Sequence, residues 1–180
     1  YPAEPLNELG WVALTCERLY GAYARHFETR IARLHSCYGP HITWRGGRER
    51  APAAFCRKIA AGQNPIEVWG DGSQKRSFTY VDDTVEGIRR LMDSRFSGPL
   101  NIGSSQMVEV AELMTTVMEV AGRGATVQYV DGPPGVPARS SDNTLCREVL
   151  GWEPTTSLRD GLKPTYEWIK RQVDIVAGRA

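Results

Sequence analysis

Trp69-Gly70-Asp71-Gly72-Ser73-Gln74-Lys75-Arg76-Ser77-Phe78-Thr79-Tyr80-Val81-Asp82-Asp83 decides how the chain is read. Alternating apolar residues in Ile66-Glu67-Val68-Trp69 mark a short strand. Gly70-Asp71-Gly72 closes it as a turn, because glycine enters the backbone conformations that a tight reversal needs. Ser77-Phe78-Thr79-Tyr80-Val81 reads as a second strand, and Asp82 is placed to N-cap a helix running to about Met92. Strand, turn, strand and helix in so short a stretch belong to an α/β chain.

The same alternation extends in both directions. Upstream, Leu9, Val12, Ala13, Cys16, Leu19, Tyr20 and Tyr23 recur at three- and four-residue steps, which predicts an amphipathic helix from about Asn7 to His26. Arg30 to Cys37 reads as a strand ending in the turn Tyr38-Gly39-Pro40, followed by a loop over 40–48 that holds Gly46-Gly47. A helix is predicted from Ala51 to Ala61 with Phe55, Ile59 and Ala60 inward. Downstream come a buried strand Leu100 to Gly103, a helix Val108 to Val120 and a strand Val127 to Val130. A rigid loop at Gly132-Pro133-Pro134-Gly135 and helices from Asp142 to Leu150 and Leu158 to Val176 complete the pattern. The strands are too few and short for a complete doubly wound sheet. No GxGxxG or GxxGxxG follows a strand near the N-terminus, so the loop that seats a dinucleotide pyrophosphate on a helix N-terminus is missing from this stretch.

With 180 residues, 41% of them hydrophobic, the chain suits one globular domain or a piece of one. Its 22 Lys and Arg against 21 Asp and Glu leave no field of one sign to hold nucleic acid or an anionic membrane. No apolar run reaches bilayer length and the start lacks a signal-peptide pattern, so the expectation is a soluble cytosolic protein. Cys16, Cys37, Cys56 and Cys146 are scattered, and with His26, His35 and His41 they form no metal-ligand spacing. They read as buried or half-buried free thiols.

Tyr38-Gly39-Pro40, Gly70-Asp71-Gly72 with Arg76-Ser77-Phe78 and Val81-Asp82-Asp83, and Asn101-Ile102-Gly103 before a helix together resemble the extended short-chain dehydrogenase/reductase superfamily. Three stretches narrow it: Thr43 to Lys58 (TWRGGRERAPAAFCRK), Trp69 to Phe78, and Arg139-Ser140-Ser141-Asp142-Asn143. These resemble the GDP-mannose 3,5-epimerase family, and the likeness runs from Tyr1 to about Lys170 over roughly that family's second half. The resemblance implies a partial Rossmann-type α/β fold: residues 1–40 as the last helix and strand of an incomplete dinucleotide-binding domain, and 41–180 mainly as a small substrate-binding domain. It also implies NAD-assisted chemistry on GDP-mannose giving GDP-L-galactose or GDP-L-gulose, a step that serves ascorbate synthesis in plants.

In that superfamily a Tyr-x-x-x-Lys pair on one helical face carries the redox step, since the ammonium lowers the phenol pKa and holds the cofactor ribose. Here Pro2-Ala3-Glu4-Pro5 leads to Leu9 where the tyrosine belongs and Ala13 where the lysine belongs, and neither exchanges a proton. The literal match Tyr166 to Lys170 lies on the last helix and reads as packing plus a solvated lysine. The family's acid/base lysine aligns with Arg50; arginine, with a pKa above roughly 12, is a poor base, though it suits holding a sugar hydroxyl or an enolate. By the same alignment Glu49, Ala51, Lys58, Gln74, Lys75, Arg76 and Arg139 fall on nucleotide-sugar contacts, with Arg76 and Arg139 facing the diphosphate. Lys58 reads equally as a solvated helix face beside Arg57. Ser36 replaces an asparagine that grips the sugar ring. Asp82 and Asp83 read as helix-start residues and not as an acid/base pair.

Three readings remain open: a truncated or impaired epimerase, a non-catalytic module that binds a GDP-sugar or serves an active subunit, and another sugar-nucleotide epimerase or dehydratase. NAD is the family's cofactor, but the chain alone is not expected to bind it. An apolar face on the first helix should leave the domain marginally stable or associating, a homodimer being one form.

Overall fold

The computed structural model describes residues 3–132 and 137–179. In chain order the elements are α1 (Glu8–Tyr23), β1 (Ile31–Leu34), β2 (Cys37–Tyr38), α2 (Ala51–Ala60), β3 (Ile66–Trp69), β4 (Lys75–Ser77), β5 (Thr79–Tyr80) and α3 (Val81–Asp93). They continue with β6 (Pro99–Ile102), β7 (Met107–Glu109), α4 (Val110–Ala121), β8 (Val127–Val130), β9 (Ala138–Arg139), α5 (Thr144–Leu150) and α6 (Leu158–Val176). The strands β1–β6, β2–β5, β3–β8 and β4–β9 pair in parallel, and only β4–β7 runs antiparallel among the described pairs. Parallel pairing between strands separated by helices is the α/β layout expected from the sequence.

Two packed cores organise these pieces. In the larger, Phe55, Cys56 and Ile59 of α2, Ile66 and Val68 of β3, Leu113, Met114 and Val117 of α4, and Leu162 and Ile169 of α6 meet with little or no exposure. Each such aliphatic side chain removed from water contributes about 1.5–3 kcal/mol. Leu91, Leu100, Ile102 and Cys146 form a smaller core with Ile88 and Trp152 packed against it. Gly87 lets α3 approach there, because a Cβ at that position would stand 2.7 Å from Ile102 and 2.8 Å from Trp152. α6 starts on a local lock: the Ser157 hydroxyl accepts from the Asp160 amide at 3.1 Å and donates to the Asp160 carboxylate at 2.6 Å.

Several expectations need correction. The strand read over 30–37 is two strands, interrupted at His35 and Ser36, because β1 pairs with β6 whereas β2 pairs with β5. Tyr38, expected in a turn, is therefore in a strand and almost fully buried. Asp82 does not cap α3: the helix begins at Val81 with Tyr80 at the cap position, which places Asp82 and Asp83 inside the first turn. Carboxylates there still favour the helix through its dipole. The helix read from Val108 begins at Val110, since Val108 is held in β7 opposite Arg76. Cys16 is exposed, unlike the other three thiols. The loop read over 132–135 lies, beyond residue 132, outside the described residues, as do Tyr1 and Pro2.

Candidate functional site

The turn after β3 delivers the first group of side chains. Gly70 and Gly72 take positive φ values of 71° and 80°, and Asp71 accepts from both the amide and the hydroxyl of Ser73 at 2.9 and 2.6 Å. A Cβ on Gly72 would stand 2.8 Å from the Tyr129 ring, so the turn also needs glycine for close approach. Gln74 follows, with its carbonyl accepting from the Val110 amide at 3.0 Å, and the chain enters β4.

β4 is the middle strand of the sheet β7-β4-β9. Its parallel register with β9 sets Arg76 opposite Arg139, about 4.8 Å away between backbones, on one face of the sheet. The Arg76 guanidinium donates to the carbonyls of Lys75 and Pro137 at 2.7 and 3.3 Å. Partial burial and the charge of Arg139 hold its pKa below the ordinary arginine value, yet an arginine remains charged at any physiological pH. Lys75 is turned to the neighbouring strand, where its ammonium lies 3.7 Å from Glu109. Two unlike environments therefore occupy successive residues: Lys75 faces the carboxylate of Glu109, while Arg76 and Arg139 are like charges set side by side.

His35 joins this group. Its amide donates to the Ile102 carbonyl at 3.1 Å, and its half-buried imidazole is pushed below the ordinary pKa by burial first and by Arg139 second. Both causes disfavour the imidazolium, and a neutral ring donates at one nitrogen and accepts at the other. Next to it, Ser36 is fixed through its carbonyl, which accepts from the Thr79 amide at 3.1 Å. His35 was missed as a site residue; its position directly before Ser36 was the available signal.

The second group lies at the start of α2. Glu49 has only 7% of its side chain exposed and lies 3.1 Å from Arg57. Burial raises its pKa, but the amides of Glu49 and Gly47 and the Arg57 guanidinium outweigh burial and hold it below the ordinary value. Its other carboxylate oxygen, Oε2, is buried with no hydrogen-bond partner among the described residues. Arg50 is the N-cap residue, exposed, with no side-chain capping bond; Ala51 opens the helix, and Pro52 behind it fits the first turn. Lys58 is not a freely solvated helix residue: its ammonium donates to the Glu67 carbonyl at 2.8 Å, and burial pushes its pKa down against the raising effect of Glu67.

The remaining expected positions separate from both groups. Leu9 is 77% exposed and Ala13 is also exposed on α1, one helical turn apart. Tyr166 packs in the core and Lys170 pairs with Asp174 at 2.9 Å, so that Tyr-x-x-x-Lys match forms structural contacts. Asp83 accepts from the Thr156 amide at 2.9 Å, a connection between segments. No cluster of three or more His, Cys, Asp or Glu among the described residues could hold a metal ion, and no described helix is long and apolar enough to cross a membrane.

Comparison with known proteins adds to this geometry. Residues 5–103 match the model of the NAD dependent epimerase/dehydratase family. The chain is 48% identical over 176 residues to GDP-mannose 3,5-epimerase 1 of Oryza sativa subsp. indica, covering 97% of this chain and 47% of the relative. It is 47% identical to the GDP-mannose 3,5-epimerase of Arabidopsis thaliana with the same coverage. The chain thus spans about half the length of the curated relatives it matches. Among solved structures, UDP-glucose 4-epimerase of Thermotoga maritima, determined with UDP-glucose, superposes with a TM-score of 0.87 at 28% identity, over 94% of this chain and 55% of that one. The parallel α/β layout is therefore part of a Rossmann-type extended dehydrogenase/reductase fold, and the chain belongs to the NAD dependent epimerase/dehydratase family.

Proposed function

We propose that this chain is the nucleotide-sugar-holding part of a GDP-mannose 3,5-epimerase-like protein, and that the 180-residue polypeptide binds a GDP-sugar without catalysing its epimerisation. The observation that carries this reading is the pairing of Arg76 with Arg139. Two guanidiniums on adjacent strands repel one another unless an anion lies between them, and a diphosphate supplies charge and bidentate acceptors on that scale. Gln74 belongs to the same grip, and Lys75 contributes through the strand that it ties to Glu109. Glu49 offers its unpaired oxygen to a sugar hydroxyl, with Arg50 and Ala51 at the same helix start and Ser36 beside the ring. Lys58, bound to the Glu67 carbonyl, shapes the wall of the site.

NAD supplies hydride acceptance and return in this family. The residues at its redox positions do not fit that role: Leu9 and Ala13 lack a proton to exchange and a charge to hold a ribose. No redox step is assigned to this chain. Arg50 stabilises a negative oxygen by charge and hydrogen bonding but does not serve as the base. These three substitutions favour a non-catalytic binding module or partner subunit over a self-sufficient enzyme. Residues 1–40 are taken as the edge of the dinucleotide-binding domain and 41–180 as the substrate part. The wider setting we infer is cytoplasmic nucleotide-sugar metabolism, with ascorbate formation as its destination.

Titration of the 180-residue chain with GDP-mannose by calorimetry tests the reading. Saturable binding that weakens about 10–100-fold in Arg76→Ala and in Arg139→Ala is expected. Absence of binding by the unaltered chain would remove the proposal.

A further inference from the structure

Arg139 stands on β9, a strand of two residues at the edge of its sheet, with two register pairs to β4. So short a strand has little of its own to fix its position. Four residues on, the chain is pinned by a buried polar relay. Asn143, 2% exposed, donates through Nδ2 to the Gly103 carbonyl at 2.8 Å and to Glu153 Oε2 at 3.2 Å, while its Oδ1 accepts from Ser141 Oγ at 2.7 Å. Glu153 is held in turn by Arg147 at 3.0 Å.

Asn143 occupies the N-cap position of α5, but its side chain makes no capping bond. Asp142 takes the Thr144 amide instead, at 3.0 Å. The Asn143 amide is therefore committed to tertiary contacts, and a buried amide with its partners withdrawn is strongly disfavoured. Gly103 serves the same junction twice. Its carbonyl receives Asn143, and its lack of a side chain makes room for two neighbours: a Cβ there would lie 2.6 Å from His35 Cβ and 2.9 Å from Ser141 Cβ. His35 and Ser141 thus approach each other across the end of β6, and the segment from Arg139 to Asn143 is clamped to that point.

We infer, resting on the diphosphate reading above for its functional meaning, that the Ser141–Asn143–Glu153 relay on Gly103 is what sets Arg139 beside Arg76 and His35. This makes Asn143 a positioning residue. It acts through Arg139, since its own side-chain amide is taken up by Gly103, Glu153 and Ser141.

The His35 ring reports on the arrangement without any ligand, because Arg139 is the charged group that lowers its pKa beyond the effect of burial. The experiment follows the His35 ring by nuclear magnetic resonance against pH in the 180-residue chain, in Asn143→Ala, in Ser141→Ala and in Arg139→Ala. His35→Gln assigns the signal. Each of the three substitutions is expected to move the His35 pKa upward toward the ordinary imidazole value. Adding Asn143→Ala to Arg139→Ala is expected to move it no further. In parallel, GDP affinity should fall about tenfold in Asn143→Ala and should not fall again once Arg139 is gone. If Asn143→Ala does not fold, Ser141→Ala decides. An unmoved His35 pKa in folded Asn143→Ala or Ser141→Ala, or a further shift on top of Arg139→Ala, overturns the inference. A shifted pKa with no GDP binding in the unaltered chain supports the relay and removes only the diphosphate reading.

Discussion

Arg76 and Arg139 are register partners on neighbouring parallel strands, so two permanent positive charges share one face of a three-stranded sheet. The two residues are 63 positions apart in sequence, and the β4–β9 pairing brings them together. If the pair holds a diphosphate, removing either guanidinium should weaken GDP binding by about 10–100-fold, the scale of a lost charge-assisted hydrogen bond. The loss should be smaller at high salt, where exposed charges are screened. Calorimetric titration of Arg76→Ala and Arg139→Ala at two ionic strengths checks both parts, and an affinity indifferent to both substitutions contradicts the assignment.

Glu49 gives a pH dependence with a definite sign. Its folded pKa lies below the ordinary 4.5, because local amides and Arg57 outweigh the opposing effect of burial. The ionised carboxylate therefore contributes stability that is fully present above pH 4.5 and is lost as the pH falls through the folded value. Glu49→Gln should destabilise the chain by about 2 kcal/mol at neutral pH by removing the charge that faces Arg57, and should flatten this part of the acid limb. Denaturant melts from pH 7 down to pH 3 measure it; parallel curves for both proteins would show that Glu49 is not the group responsible.

The first helix carries a third prediction. None of its residues is buried, and Leu9, Trp11, Val12, Leu19, Tyr20 and Tyr23 are each more than half exposed. An apolar surface of this kind drives association. Sedimentation of the 180-residue chain should show concentration-dependent oligomers, and Leu19→Glu with Tyr23→Glu should shift the distribution toward monomer. A monomeric unaltered chain at high concentration would mean that this face is tolerated in water.

Restoring functional groups tests the missing chemistry. Leu9→Tyr and Ala13→Lys would place the redox pair on one face of α1, and Arg50→Lys would supply a titratable amine. The triple variant alone is expected to remain inactive on GDP-mannose, and the 180-residue chain is expected to give no heat with NAD, because no glycine-rich pyrophosphate loop occurs within it. Fused behind the N-terminal half of a GDP-mannose 3,5-epimerase, the triple variant should take up deuterium from heavy water into the sugar, whereas the unaltered sequence fused in the same way should not. Mass spectrometry reads the exchange. Exchange by the unaltered chain alone would show that Arg50 or another residue acts as a base without help.

Local chemistry made much of the architecture legible. Strands Ile66–Trp69 and Val127–Val130 and helix Leu158–Val176 stand where periodicity placed them, and the first helix begins at its Asn7 cap, whose side chain accepts from Gly10 at 3.1 Å. Each of these signals is contained within a few consecutive residues: alternation for a strand, three- and four-residue steps for a helix, a side-chain oxygen at its start. On the proposed alignment the changes at Leu9, Ala13 and Arg50 are equally plain, since leucine and alanine side chains carry no exchangeable proton and a guanidinium is a poor base.

What could not be read locally was pairing. β7 and β9, of three and two residues, are too short to show a period, and they exist because β4 lies between them. The division of the 30–37 strand into β1 and β2 follows from a change of neighbour, from β6 to β5. The same holds at the site. Sequence by itself determined an α/β chain and its helices and longer strands, and that Leu9 and Ala13 carry no exchangeable proton, because these depend on the identity and spacing of adjacent residues. Tertiary structure alone decided that Arg76 faces Arg139, that His35 lies beside them, that Glu49 keeps an unpaired oxygen and that Asn143 holds Gly103. Hydrogen bonds, charge and burial act through space, and residues far apart along the chain meet only when the folded core sets their distance.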